Sequence, residues 1–329
     1  MTRVTVSDLI TELAGQALVQ ETGSKTEARV GKPGTLVDID SDGHVMAVLD
    51  LSDTATARGA VITLRGTVVA RAEQPTNGAT GQAMLRIAQR TAEQLLAQTG
   101  PAKPLGLGVA SPGVLTPDGQ VVYAKDYQWN NLPLAAGLAA SLGQPVAAAN
   151  DANLRALAEF TYAGASAEGL MEVSLTDGLG AGILLDGFML LGPSNAAGEI
   201  GHIPAMVGGD PCSCGRRGCL ETVLNREVLR KANGTASGMT DKTVLKRVGT
   251  ATAAVLAPIV SAFNLSDLVF ADPRGLATPD VLAAIRQGLE ERLLPQIMAD
   301  LNVRVSQLGA DAALLGAGSL VLANQLGVT

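Results

Sequence analysis

Two stretches of this chain follow the same order: short apolar runs joined by tight turns, then a long helical pattern. That repetition restricts the fold more than any other feature. In the first stretch, strands are expected over 45–51, 60–64 and 68–72, with a turn at Arg65-Gly66, before a helix over 80–98. In the second, strands are expected over 172–175 and 180–185, with Asp186-Gly187 as the hairpin turn. Apolar runs at 105–110, 146–149 and 268–271 read as buried strands, and helices are expected over 152–162, 220–231, 242–263, 278–300 and 310–326. Two similar α/β halves with a cleft between them is the economical architecture. Polar groups follow strand ends at Ser111-Pro112-Gly113 and Asn150-Asp151, where open α/β sheets place ligands. The halves are drawn as a small domain, 43–150 joined by the C-terminal helix 310–329, and a large domain, 151–309.

At 329 residues the chain exceeds what one hydrophobic core usually serves, which agrees with two domains. Its 47% hydrophobic residues, 38 glycines and 17% charged residues describe a folded α/β protein with many tight turns. A net charge of -7 argues against coating nucleic acid by charge alone and leaves room for a small local DNA reader. No signal-peptide pattern opens the chain, and no apolar stretch of membrane-spanning length is free of charges and glycines. A cytoplasmic protein without a membrane partner is expected.

Over 4–17 the apolar residues Val6, Leu9, Ile10, Leu13 and Ala17 keep helical spacing, with Thr5 or Ser7 as the cap. Two extended runs follow, 18–21 and 35–39, joined by a polar segment containing Lys25, Arg29, Lys32 and Pro33. Residues 1–42 thus have the outline of a partial winged helix-turn-helix. The competing reading is a terminal helix packed on the body with a loose loop.

All three cysteines fall within eight residues, in the spacing His202-x9-Cys212-x-Cys214-x4-Cys219. Three thiolates and one imidazole form the closed four-ligand set of a structural, tetrahedral zinc site. Cys212 and Cys214 are too close for an unstrained disulfide. Arg216 and Arg217 sit between the last two sulfurs, where they offset the negative charge of the cluster. A metal ligand's second ring nitrogen usually has a defined partner, so the free side of His202 can address a ligand.

Four motifs, in this order, resemble those of ROK proteins, a group of bacterial sugar kinases, transcriptional repressors and related open reading frames. They are Ser111-Pro112-Gly113, Asn150-Asp151-Ala152-Asn153, the run from Ala197 to His202, and the run from Cys212 to Glu221. The resemblance covers nearly the whole chain. It implies an actin-like, sugar-kinase-like (ribonuclease H-like) two-domain α/β fold. It also implies a sugar held by Asn150, Asp151, Glu199, His202 and Glu221, with Gly113 at the cleft. Carboxylates and an amide suit a ring of hydroxyls, each both donor and acceptor. In the family's kinases the aspartate matching Asp151 is the general base on the attacking hydroxyl. Asn150-Asp151 also reads as a helix N-cap, a role compatible with sugar binding.

The chain departs from the kinase pattern where ATP would sit. The family's kinases carry D-x-G-G-T after the first strand; here the segment is Asp50-Leu51-Ser52-Asp53-Thr54, with bulk and negative charge in place of glycine. The second phosphate motif, Thr176-Asp177-Gly178, adds another acid, and the adenosine turn reads Ala271-Asp272-Pro273-Arg274-Gly275. ATP binding and kinase activity are therefore not expected. The family's repressor branch carries an N-terminal winged helix-turn-helix. Arg3, Thr5 and Ser7 resemble part of its recognition helix, and Val30-Gly31-Lys32-Pro33 its wing. The resulting expectation is a sugar- or sugar-phosphate-responsive regulator reading operator DNA with Arg3, Thr5, Ser7 and Lys32. It would be a homodimer, or a tetramer. The alternatives are a sugar kinase using Asp151, and a sugar-binding protein without DNA binding.

Overall fold

The computed structural model describes residues 3–24, 34–166, 168–176, 178–234 and 241–327. Helix α1 (Arg3–Gly15) leads into strands β1 (Val19–Ser24) and β2 (Thr35–Ile39), which pair antiparallel with Val19 opposite Ile39. The described part of this segment is thus one helix followed by a two-stranded antiparallel pair. The helix starts at Arg3, ahead of the expected caps Thr5 and Ser7, and the Ser7 carbonyl accepts the Thr11 hydroxyl at 2.9 Å. Val6 and Leu9 stay 46% and 42% exposed, so this helix leaves apolar surface uncovered. The Arg65 guanidinium pairs with Asp38, and His44 Nδ1 lies 3.1 Å from the Ala17 carbonyl, tying the unit to the body.

The first half continues through β3 (His44–Asp50), β4 (Thr56–Thr63), β5 (Val68–Pro75), α2 (Gly81–Leu96) and β6 (Lys103–Ser111). Then come β7 (Val114–Leu115), β8 (Val121–Ala124), β9 (Trp129–Leu132), α3 (Leu134–Leu142), β10 (Val146–Asn150) and α4 (Asp151–Tyr162). The second half holds β11 (Gly169–Leu175), β12 (Leu179–Leu185), β13 (Phe188–Met189), α5 (Arg226–Ala232), α6 (Lys242–Phe263) and β14 (Asp267–Ala271). It ends with α7 (Pro279–Glu290), α8 (Pro295–Asp300), β15 (Asn302–Val305) and α9 (Ala312–Leu326).

The two main sheets have the same topology. One runs β10-β6-β3-β4-β5 and the other β13-β12-β11-β14-β15. In each, the first strand lies at the centre, the next two fold back antiparallel on one side, and the last two add in parallel on the other. Both central strands read as near-continuous apolar runs, as strands covered on both faces must; every residue of Gly169–Leu175 is buried. Asp186 and Gly187 both take positive φ at the β12–β13 turn, the pairing a tight type I′ hairpin needs. Helix α9 returns to pack on β3 and β6 of the first sheet, and α4 lies between α9 and strands β11 and β12.

Two expectations need correction. The helix over 220–231 is a 3-10 turn, Leu220–Thr222, followed by α5, because Asn225 caps a new start by accepting from the Val228 amide at 3.0 Å. The helix over 278–300 breaks into α7 and α8, because Pro295 has no amide to continue the first ladder and opens the second at its first turn. Helix α6, at 22 residues, is long and apolar enough by composition to cross a bilayer, although it carries Lys242, Lys246, Arg247 and Gly249. Its apolar residues Val248, Val255, Leu256 and Val260 instead belong to the core of the second half, where α6 packs on α7.

Candidate functional site

The strand ends of both halves open on a cavity of about 920 Å³, lined by Gly113, Asn150, Asp151, Glu199, His202 and Glu221. The fold thus brings all six residues expected to hold sugar into one place. It adds Tyr123, Lys125 and Asp126 from the loop of the three-stranded β7-β8-β9 sheet, and Asn153 and Asn195.

Local structure fixes each group. Asn150 ends β10 opposite Ser111 and caps α4, its Oδ1 accepting from the amides of Ala152 at 2.9 Å and Asn153 at 3.1 Å. Its Nδ2 donates to the Gly113 carbonyl at 3.0 Å. Gly113 has φ +91°, and a Cβ there would stand 2.2 Å from the Tyr123 carbonyl, so only glycine lets the two cleft loops meet. A Cβ on Gly198, at φ +94°, would stand 1.9 Å from the Ala181 carbonyl. This close contact, with the Ala181 amide donating to Gly198 at 2.9 Å, anchors the segment carrying Glu199 on β12. Glu199 is pushed above the usual carboxylate range by burial, with His202 acting in the opposite sense. Glu221 projects from the 3-10 turn that follows Cys219.

Asp151 opens α4 with its side chain 13% exposed, and the Arg155 guanidinium, one turn on, meets its Oδ2 at 2.5 Å. Burial pushes the Asp151 carboxyl up, while Arg155 opposes the shift. The other arm of Arg155 donates to the Ser52 hydroxyl at 2.9 Å. Ser52 donates in turn to the buried Asp50 at 2.6 Å, and Asp50 also receives Arg58 at 2.8 Å. Glu172, buried on β11, receives the Ser174 hydroxyl at 2.9 Å and is pushed well above the ordinary glutamate range by burial. Sequence reasoning missed Arg155; its signal is an Asp-x-x-x-Arg pair at helical i, i+4 spacing.

His202, Cys212, Cys214 and Cys219 place one ligand atom each within 4.8 Å of all the others. Cys212 Sγ lies 3.5 Å from His202 Nδ1, and Cys214 and Cys219 sulfurs are 3.7 Å apart. A tetrahedral ion at zinc distances requires about 3.6 Å for a nitrogen–sulfur edge and about 3.8 Å for a sulfur–sulfur edge. The cluster therefore fits a metal ion. Arg216 donates to Cys214 and lowers that thiol to about 6, whereas burial raises Cys219 to about 11. The loop is braced by Cys212 N donating to the Arg216 carbonyl at 2.8 Å and by Leu220 N donating to Ile203 at 2.9 Å.

In the segments that depart from the kinase pattern, two acids bond to nearby backbone. Asp53 Oδ1 accepts the Ala55 amide at 2.8 Å. Asp272 accepts the amides of Arg274 at 3.1 Å and Ala277 at 2.5 Å, closing its own turn. Asp177 and the wing residues Val30 to Pro33, Lys32 included, lie outside the described residues. Arg3 opens α1, and Thr5 and Ser7 are exposed on it, away from the residues that line the cavity.

The ROK family profile matches residues 49–324. The chain belongs to the ROK family. A glucokinase of Halalkalibacterium halodurans is 30% identical over 304 residues, covering 81% of this chain and 92% of that enzyme. A xylose repressor of Bacillus spizizenii is 26% identical over 240 residues, covering 68% of this chain and 62% of the repressor. The crystal structure of a ROK family transcriptional regulator, a homologue of the E. coli MLC protein, superposes with a TM-score of 0.83 at 23% identity, covering 100% of this chain and 90% of that one. This ROK protein therefore has the actin-like sugar-kinase fold, and its relatives include both kinases and repressors.

Proposed function

We propose that this ROK protein is a sugar- or sugar-phosphate-responsive transcriptional regulator with a degenerate ATP site. The observation that carries this reading is the contrast within one cleft. Five side chains suited to hydroxyls line the cavity, while Asp53 and Asp272 of the ATP-side segments accept nearby backbone amides. Carboxylates Asp151, Glu199 and Glu221 accept sugar hydroxyls. Asn150 orders the cavity floor through Gly113. A zinc ion held by His202, Cys212, Cys214 and Cys219 supplies a structural crosslink. With Nδ1 on the metal side, the Nε2–H of His202 donates toward the sugar.

Sugar in the cleft shifts the population toward a closed arrangement of the domains 43–150 (with 310–329) and 151–309, and so the spacing of two DNA-reading heads, 1–42, in a homodimer. Arg3, Thr5, Ser7 and Lys32 contact the operator. Acting on operator DNA puts the protein in the cytoplasm. A gel-shift series on DNA upstream of its own gene, with and without sugars, tests this. Retardation that responds to a sugar is expected; no retardation by the full chain under any condition overturns it.

A second reading, an ATP-dependent sugar kinase with Asp151 as base, is favoured by the glucokinase relative at 30% identity. It requires ADP release with a hexose that Asp151→Asn abolishes. Sugar binding with neither DNA affinity nor ATP use leaves a sugar-binding protein acting through another partner.

A further inference from the structure

Arg155 has a burial and a reach that packing alone does not require. Its side chain is 5% exposed on α4, an environment in which a guanidinium is strongly disfavoured unless it is paired. It spends its two arms in different places. Nη1 meets Asp151 Oδ2 at the cavity wall, and Nη2 crosses to Ser52 in the loop after β3. Ser52 passes the contact to Asp50, which Arg58 closes from β4. Guanidiniums and carboxylates thus alternate from the first sheet to the sugar cavity, Arg58–Asp50–Ser52–Arg155–Asp151. Only a planar fork with donors on both arms can bridge Asp151 and Ser52 together.

We propose that Arg155 is a positioning residue that serves as the site's own counter-cation: it pins Asp151 Oδ2, keeps that carboxylate ionised inside the cleft, and leaves Oδ1 to accept a sugar hydroxyl. The proposal deepens the sugar-sensor reading and rests on it for the identity of the ligand. Among the described residues, the side-chain partner of Oδ1 is the Asn150 amide at a long 3.3 Å. Burial pushes the Asp151 carboxyl up, and the contact with Arg155 is what works against that rise. The carboxyls of Asp50 on β3 and Glu172 on β11 face the pair, Glu172 itself pushed well above the ordinary glutamate range by burial, and Glu199 lies close enough to feel Asp151. Removing the guanidinium takes away the cation that acts on Asp151 among the described residues.

The test is a pH titration of Asp151 by carbon-13 NMR of aspartate-labelled, zinc-loaded full chain, the signal assigned with Asp151→Asn. The variants are Arg155→Ala and Arg155→Lys, the second retaining charge should the first fail to fold. Arg155→Ala is expected to move the Asp151 midpoint upward by more than one pH unit, tens of millimolar guanidinium ion to move it back, and Arg155→Lys to fall between. Calorimetry with glucose and xylose is then expected to give binding at least tenfold weaker in Arg155→Ala at neutral pH, recovering with guanidinium. Folded variants whose Asp151 titrates as in the wild type overturn the proposal. A wild type indifferent to both sugars whose Asp151 still responds to Arg155 overturns the assignment of this ligand class and leaves the counter-cation standing.

Discussion

The Nδ1 atom of His202 lies 3.5 Å from the sulfur of Cys212, while the same imidazole lines the cavity that holds Asp151 and Glu199. One ring therefore belongs both to the His/Cys cluster and to the cavity wall, and a metal ion held there would brace both.

Purified protein is expected to hold one zinc per chain by elemental analysis. Cys212→Ser is expected to lose it and to lower Tm by about 5 °C or more, given that ~1 kcal/mol corresponds to ~2–4 °C for domains of this size. Sugar affinity should fall with it, because the ring turns freely once unligated. Well below one metal per chain in the wild type, or an unchanged Tm in the variant, contradicts the site.

Asn150 carries a helix cap and a cross-loop bond at once. Asn150→Ala should cost about 1–2 kcal/mol for the cap and leave the Gly113 carbonyl without its donor. Thermal denaturation should show a lowered Tm. Asn150→Asp keeps the capping oxygen and loses the donated bond, so it should retain most of the stability while weakening sugar binding. Equal loss of Tm in both variants would argue against this division.

Glu172 sets a pH signature. Its carboxyl is raised by burial, with Arg155 and Ser174 opposing and Asp151 and Glu159 adding to the rise. A raised folded value means that the folded state holds the proton more tightly. The stability this contributes is complete below the ordinary glutamate value of about 4.3 and is lost as pH rises toward the folded midpoint. Glu172→Gln has no such loss. Tm of the variant relative to wild type should therefore grow from pH 5 to pH 9; parallel curves across that range would refute it.

The parts of this molecule that follow local rules were legible in sequence. The spacing from His202 to Cys219 places four ligands on one glycine-bearing loop, and Asn150-Asp151 at a strand-to-helix junction both caps and faces the cleft. The repeated strand order gives two sheets of one topology, because apolar runs of strand length separated by turns leave few alternatives. Longer-range features were hidden. The β7-β8-β9 sheet consists of strands of two to four residues, too short for alternation to register. It contributes Tyr123, Lys125 and Asp126 to the cavity only through tertiary packing. Arg155 looked like one polar position in a helix, since nothing local tells a solvated arginine from one buried against the loop at Ser52.

The exposed face of α1 supplies a separate test. Thr5→Ala and Ser7→Ala should weaken operator binding by roughly 1–3 kcal/mol for each lost base contact and leave sugar affinity unchanged, because neither residue lines the cavity. Fluorescence anisotropy with labelled operator would measure it. Unchanged DNA affinity in both variants would remove α1 from the reading.

The central claim is that the cleft takes a sugar without using ATP, and calorimetric titration of the zinc-loaded protein tests it most directly. MgATP is added first, then glucose and xylose with and without MgATP present. The account requires saturable heat with a sugar, the same affinity in both conditions, and none with MgATP. Saturable MgATP binding followed by sugar-dependent ADP release would contradict it and make the protein a kinase.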